Sequence, residues 1–209
     1  MKIVKPSTTI LPTSTNIEQI IEFAGRLCYK SEDNITETSH INFLEKLRGL
    51  HHESVLEHGS ISVHFICDRG VTHELVRHRI ASFSQESTRY CNYSKGKFGH
   101  EITVIDPSAG LGWDLSTQEG RYKFDIWCLA CEDCEASYLA MLEAGCKPQE
   151  ARSVLPNSLK TEIVVTANPR EWLHIFKLRT APTAHPQMVE VMRPLQEQFA
   201  ARWPYIFGS

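Results

Sequence analysis

At 209 residues and a formal net charge of −3, the chain is long enough for a real core and too nearly neutral to imply a polyanion-binding surface. Its opening, MKIVKPSTTILPTST, lacks the apolar centre of a signal peptide, and no stretch approaches the ~18 apolar residues of a membrane span. The seven scattered cysteines are odd in number, which favours reduced thiols in a soluble cytoplasmic protein over a disulfide framework.

Taken in order, MKIVKP is a short strand, followed by a Pro/Ser/Thr-rich connector over residues 6–15. Asn16 is placed to cap a helix over residues 17–29, whose apolar face is Ile17, Ile20, Ile21, Phe23, Ala24 and Leu27. A second helix covers residues 40–49, and the cluster HHESVLEH that follows misses the HExxH zinc spacing, so a turn leading into a strand is the expectation there. Residues 59–68, GSISVHFICD, alternate as a half-buried strand with Ile61, Val63, Phe65 and Cys67 inward. A helix from Val71 carries the apolar stripe Val71, Leu75 and Val76, and past Ile80 the chain reads as a serine-rich loop. A loop over residues 94–101, a short strand at 102–105 and a turn at 107–112 precede a long helix over 116–145. The remainder reads as a helix over 148–156, a strand over 159–166, a helix from Pro169 to Arg179 capped by Asn168, and a last helix from Pro186 to about Trp203. Without repeats, low-complexity tracts or a linker, residues 1–209 make a single α+β domain with a central, mostly antiparallel sheet flanked by helices.

Three groups of residues carry potential chemistry. In VTHELVRHRIASFSQESTRYCNY, the charged or chargeable Arg77, His78, Arg79 and Arg89 flank the hydroxyls of Ser82, Ser84, Ser87 and Thr88. Guanidinium groups with hydroxyls suit a phosphate or another planar, acceptor-rich ligand, although an RHR triplet also serves as a solvated helix face. The C-terminal set Arg152, Asn168, Arg170, His174 and Arg179 repeats that chemistry, with Arg170 and His174 four apart on one helix. Arg179 could equally neutralise a helix C-terminus, worth ~0.3–1 kcal/mol, and Arg152 could be a surface arginine. Cys128, Cys131 and Cys134 resemble a metal-binding run, but three-residue steps on a helix advance ~300° each and spread the sulfurs around it. No GxGxxG, P-loop or GxSxG motif is present, and Leu155-Pro156 is followed by Asn157 where a cysteine nucleophile would be needed. Ser87 reads as a phosphate ligand, because no activating base stands beside it in sequence. At this level an enzyme, a non-catalytic nucleic-acid or nucleotide-binding module and a cysteine-based metal protein all stay open.

Spacing narrows the choice. Arg77-His78-Arg79, seven residues, then Ser87 is similar to the RHRX7S signature of the flavin-dependent thymidylate synthases, and Ser87-Thr88-Arg89-Tyr90 resembles the SxRY ending of that family. Ala151-Arg152-Ser153-Val154-Leu155-Pro156 and the stretch from Asn168 to Leu178-Arg179 resemble it again, so the likeness runs through nearly the whole chain. The resemblance implies a homotetramer of α+β subunits with active sites at subunit interfaces. It implies reductive methylation of dUMP to dTMP, with methylenetetrahydrofolate as carbon donor and FAD reduced by NADPH, and with neither nucleic acid nor membrane as partner. Carried over residue by residue, it implies flavin contacts at His52, Ser54, Arg77, His78, Arg79, Asn168, Arg170 and His174. It also implies nucleotide contacts at Glu74, Leu75, Val76 and Arg77, at Gln85, Glu86, Ser87, Thr88 and Arg89, and at Arg152 from another subunit. Arg179 is left against the uracil as the catalytic group, with no metal and no thiol. The chain departs from the pattern at Glu74, where many relatives carry Gln, at Ser84-Gln85, and at His174, where some carry Asn.

Overall fold

The computed structural model describes residues 1–13 and 16–208; of the expected connector, positions 14 and 15 lie outside the described residues. Its centre is a four-stranded antiparallel sheet in the order β2 (Ser7–Ile10), β3 (Ile61–Asp68), β6 (Lys160–Ala167), β4 (Ser82–Gln85). The long strands β3 and β6 pair over their full length, Ile61 opposite Ala167 through Asp68 opposite Lys160. Strict alternation in both sends Ile61, Val63, Phe65, Ile163, Val165 and Ala167 to one face, where they are buried. The other face is polar and half-exposed: Ser62 bonds Thr166 at 2.7 Å, and His64 bonds Glu162 at 3.0 Å. A smaller parallel pair joins β1 (Lys2–Val4) to β5 (Thr103–Ile105), and an isolated bridge from Val104 to Leu159 links it to the start of β6. The expected α+β domain is thus present, with a mixed sheet arrangement.

Helices α1 (Ile17–Leu27) and α2 (His40–Gly49) cover the buried face together with α6 (Pro169–Arg179), α7 (Pro186–Arg202) and the short α8 (Pro204–Phe207). Trp172, Phe176, Phe199, Trp203 and Phe207 stack ring against ring there, with centroids 5.0 to 6.2 Å apart. Buried indole N–H groups need an acceptor, and Trp172 Nε1 donates to the Ile61 carbonyl at 3.0 Å, tying α6 to the sheet. The long α4 (Gln118–Glu143) packs through Cys131 and Tyr138 on a second, smaller core with Tyr93, Ile102 and Val104. A short α5 (Pro148–Ala151) follows it and passes into a 3₁₀ turn over Arg152–Val154, where a longer helix was expected.

The decisive difference from the sequence expectation lies after β3. Asp68 ends that strand and accepts the Val71 N–H at 2.7 Å, capping α3 (Arg69–Leu75), while Gln187 Nε2 of α7 donates to its other oxygen at 2.7 Å. The helix stops at Leu75, five residues short of Ile80, and the chain from Val76 to Ala81 folds as successive turns. The supposed loop beyond it is strand β4, paired from Ser82 opposite Thr166 to Gln85 opposite Ile163. Arg77-His78-Arg79 therefore occupies a tight corner between helix and strand, with both arginines exposed and His78 only 5% exposed.

Candidate active site

That corner opposes the C-terminal end of α6 across a cavity of about 800 Å³, whose walls include Glu74, Arg77, His78, Arg79, His174 and Arg179. Arg179 is the most constrained of them. Its Nε donates to His78 Nε2 at 2.9 Å, Nη1 donates to Glu74 Oε2 at 2.7 Å, and Nη2 donates to the Glu74 carbonyl at 2.9 Å. A planar guanidinium with one N–H engaged on each of its three nitrogens retains two further N–H donors for a ligand. Behind His78 lies Glu171, buried in the first turn of α6, with Oε1 3.4 Å from His78 Nδ1. The His174 ring meets His78 edge-on, with centroids 5.8 Å apart.

Burial, then the charges of Arg179 and His174, lower the His78 pKa to about 4, so the ring is neutral near pH 7. Unfolded histidine titrates near 6.5, so below that pH the unfolded chain binds a proton that the folded chain refuses. Stability should accordingly fall as pH drops from about 6.5 towards 4, by up to ~1.4 kcal/mol per pH unit from this group. Denaturant melts across that window should show a shallower pH slope in His78→Gln than in the unmodified chain, and equal slopes would contradict the assignment.

The remaining expected site residues divide between two other places. His52, Ser54 and Arg170 line a second cavity of about 360 Å³ beside Tyr29 and Cys28. Arg170 faces that side, bonded to Glu57 at 2.6 Å and paired with Glu53 at 3.4 Å, so it and His174 line different cavities although four residues apart. Asn168 uses its side-chain oxygen to cap α6, accepting the Glu171 N–H at 2.8 Å. Leu75 is fully buried in the main core and Val76 is exposed beside the turn, so neither brings a polar side chain to a ligand.

The loop after β4 forms the third place. Gln85 is spent inside the fold, its amide donating to Thr72 at 3.0 Å and Thr161 at 3.3 Å. Glu86 likewise turns inward, accepting from Tyr93 Oη and Lys160 Nζ at 3.1 Å each. These two residues brace the loop, where the resemblance implies that they contact nucleotide. Ser87 Oγ accepts the Arg89 N–H at 3.3 Å, which curls the backbone so that Arg89 is exposed, its guanidinium 5.5 Å over the Tyr90 ring. Arg152 Nη1 approaches Thr88 Oγ1 at 3.5 Å within the same chain, where the resemblance implies an arginine arriving from another subunit. Sequence reasoning missed Lys160 and Glu171. Lys160 reads as an ordinary strand residue, and only the three-residue step from Glu171 to His174 hinted at a shared helix face.

Among the described residues, one group of side chains has metal-ligand spacing: His78, Glu171 and His174, with ligand atoms within 4.8 Å of one another. The Arg179 guanidinium on the far side of the His78 ring opposes a cation there. The cysteine run sits on α4 with Cys131 buried and its thiol pushed up to about 11 by burial, so it is held as a thiol and packs as core.

A neutral histidine locking a guanidinium over a roomy cationic cavity, with a hydroxyl- and arginine-bearing loop on the same α+β subunit, defines a binding site for an anionic, acceptor-rich ligand of the nucleotide kind. Residues 9–205 match the family model described as thymidylate synthase complementing protein. The chain is 35% identical to the flavin-dependent thymidylate synthase of Geobacter sulfurreducens, covering 84% of this chain and 74% of that one. It is 32% identical to the enzyme of the same name from Pyrococcus furiosus, covering 88% and 72%. Its fold superposes on the UMP/dUMP methylase PolB from Streptomyces cacaoi with a TM-score of 0.79, 23% identity and coverage of 99% and 95%. The chain belongs to the flavin-dependent thymidylate synthase family.

Proposed function

We propose that this enzyme methylates dUMP reductively to dTMP in the cytoplasm, taking the carbon from methylenetetrahydrofolate and the hydride from FAD reduced by NADPH. The observation that carries the reading is the fixed orientation of Arg179 at the cavity edge. The residues present fit a flavin dinucleotide: Arg77 and Arg79 offer exposed charge for a pyrophosphate, and the second cavity adds His52, Ser54 and Arg170. When bound, reduced FAD supplies the hydride that completes the methyl group.

The protein's own part is electrostatic. Uracil C5 attacks an electrophilic carbon readily only if the ring is electron-rich, as it is once the N3 proton has been lost to solvent. Arg179, set against the N3–O2 edge, would stabilise that N3-deprotonated ring, whose anionic charge raises electron density at C5 without a thiol adding at C6. Two observations support a route without a thiol. Among the described residues no cysteine lines the main cavity, and Cys91, next to the 85–89 loop, has its thiol pushed up by burial and by Glu86, which keeps it a poor nucleophile. Ser87, Thr88, Arg89 and Arg152 serve the phosphate, while Glu86 and Lys160 hold their loop in place. The homotetramer with sites at subunit interfaces is supported by large apolar side chains left exposed on one chain. Ile80 and Tyr90 flank the site, and Tyr122, Ile126 and Leu129 form a stripe along α4.

The test is direct. Purified protein given FAD, NADPH, dUMP and methylenetetrahydrofolate should form dTMP in step with NADPH oxidation, and omission of the folate should abolish dTMP. Protein that takes up no flavin, or that consumes NADPH with all substrates present and makes no dTMP, rejects the reading.

A further inference from the structure

We infer that Glu171 is a positioning residue, selecting the His78 ring tautomer that anchors the Arg179 guanidinium. This rests on the reading of Arg179 given above and adds a residue that neither the RHR signature nor the arginine itself contains.

The logic follows from donor and acceptor inventories. Arginine Nε carries a hydrogen and has no lone pair to offer, so its 2.9 Å contact requires His78 Nε2 to be the bare, accepting nitrogen. The ring proton must then sit on Nδ1. That nitrogen faces Glu171 Oε1 at 3.4 Å, and an ionised carboxylate can only accept, so it favours the Nδ1–H form and no other. The reverse tautomer would set N–H against N–H at Arg179 and leave the guanidinium held through Glu74 alone. A protonated ring would do the same, and the low pKa of His78 keeps that form rare near neutrality.

Glu171 is itself fixed. It stands in the first turn of α6 with its backbone N–H bonded to the Asn168 cap at 2.8 Å, it is 7% exposed, and its neighbour Trp172 is buried in the main core. A carboxylate that is nearly buried beside a core tryptophan costs free energy unless it has a partner, and the His78 ring is the partner the structure provides. The order of control runs from cap to carboxylate to ring to guanidinium, and from there to the ligand.

The experiment uses flavin-loaded protein labelled with ¹⁵N-histidine, the His78 signals being assigned by their loss in His78→Gln. Nitrogen shifts should report a proton on Nδ1 in the unmodified chain. In Glu171→Gln, whose amide can donate as readily as accept, that preference should be lost. In the same variant kcat should fall ~10–100-fold with flavin content and the KM for dUMP within a few-fold of the parent. A proton on Nε2 in the unmodified chain overturns the inference whether or not the variant folds. So does an unchanged tautomer or unchanged kcat in a folded Glu171→Gln. Full turnover in Arg179→Ala would overturn the rate half of the inference together with the reading beneath it, while the ring spectrum would still decide what holds His78.

Discussion

Replacing Arg179 by alanine should lower kcat for dTMP formation ~10²–10³-fold while the protein still takes up flavin, because one oriented electrostatic group of this kind typically contributes that much. The expectation follows from how completely the side chain is committed. All three guanidinium nitrogens have partners on α3 and the turn behind it, at 2.7 to 2.9 Å, so the group is oriented before any ligand arrives. Such preorganisation is what makes a charge effective in a transition state. Arg179→Lys should restore little, since an ammonium lacks the planar fork that meets His78 and Glu74 together. Stability has to be checked in parallel, because the truncation strips His78 Nε2 of its donor, a loss on the order of 1–3 kcal/mol if water does not replace it. A folded Arg179→Ala variant with turnover within a few-fold of the parent would remove Arg179 from the chemistry.

The parts of the fold that were legible in the sequence are those whose burial writes a period. Strands β3 and β6 alternate strictly because they are the two inner strands and bury one face, and α6 and α7 show the helical stripe that packs on that face. The missed strands, β2 and β4, are the two edges. Their sequences, STTI and SFSQ, are dominated by hydroxyl residues and carry a single large apolar side chain each, so composition suggests connector or loop. What makes them strands is backbone pairing with β3 and β6, a long-range effect with no local signature. Missing β4 also misplaced the RHR triplet on a helix. Seen as the corner between α3 and β4, the triplet sends its arginines outward and its histidine inward.

The site was legible as an inventory of charge and illegible as a set of contacts. Arg77, Arg79, His174 and Arg179 line one cavity, yet the partners that orient Arg179 depend on distances no spacing rule supplies. Glu86 looks like a ligand-facing acid because it sits inside a signature. Its actual partner, Lys160, is 74 residues away and becomes a neighbour only through the pairing of β4 with β6. Buried carboxylates such as Glu171 are similarly invisible, since an acid in a first helical turn is the ordinary choice near a helix N-terminus.

Arg89 and Arg152 should separate recognition of the phosphate from recognition of the base. Each is exposed and near a loop whose hydroxyls, Ser87 and Thr88, are already oriented, and Arg152 stands 3.5 Å from Thr88. A hydrogen bond from a guanidinium to a charged phosphate contributes ~1.5–3 kcal/mol, so either alanine substitution should weaken dUMP binding ~10–100-fold. If both arginines grip one phosphate, the double substitution should cost less than the sum of the two, since neighbours sharing a partner are not additive. Deoxyuridine, which has the same base and sugar and no phosphate, is the control. Its affinity should be unchanged in every variant, and the weakening with dUMP should shrink as salt is raised. Equal losses for nucleoside and nucleotide would mean that the substitutions had deformed the loop, and the two guanidinium groups would then belong with Glu86 and Lys160 among its braces.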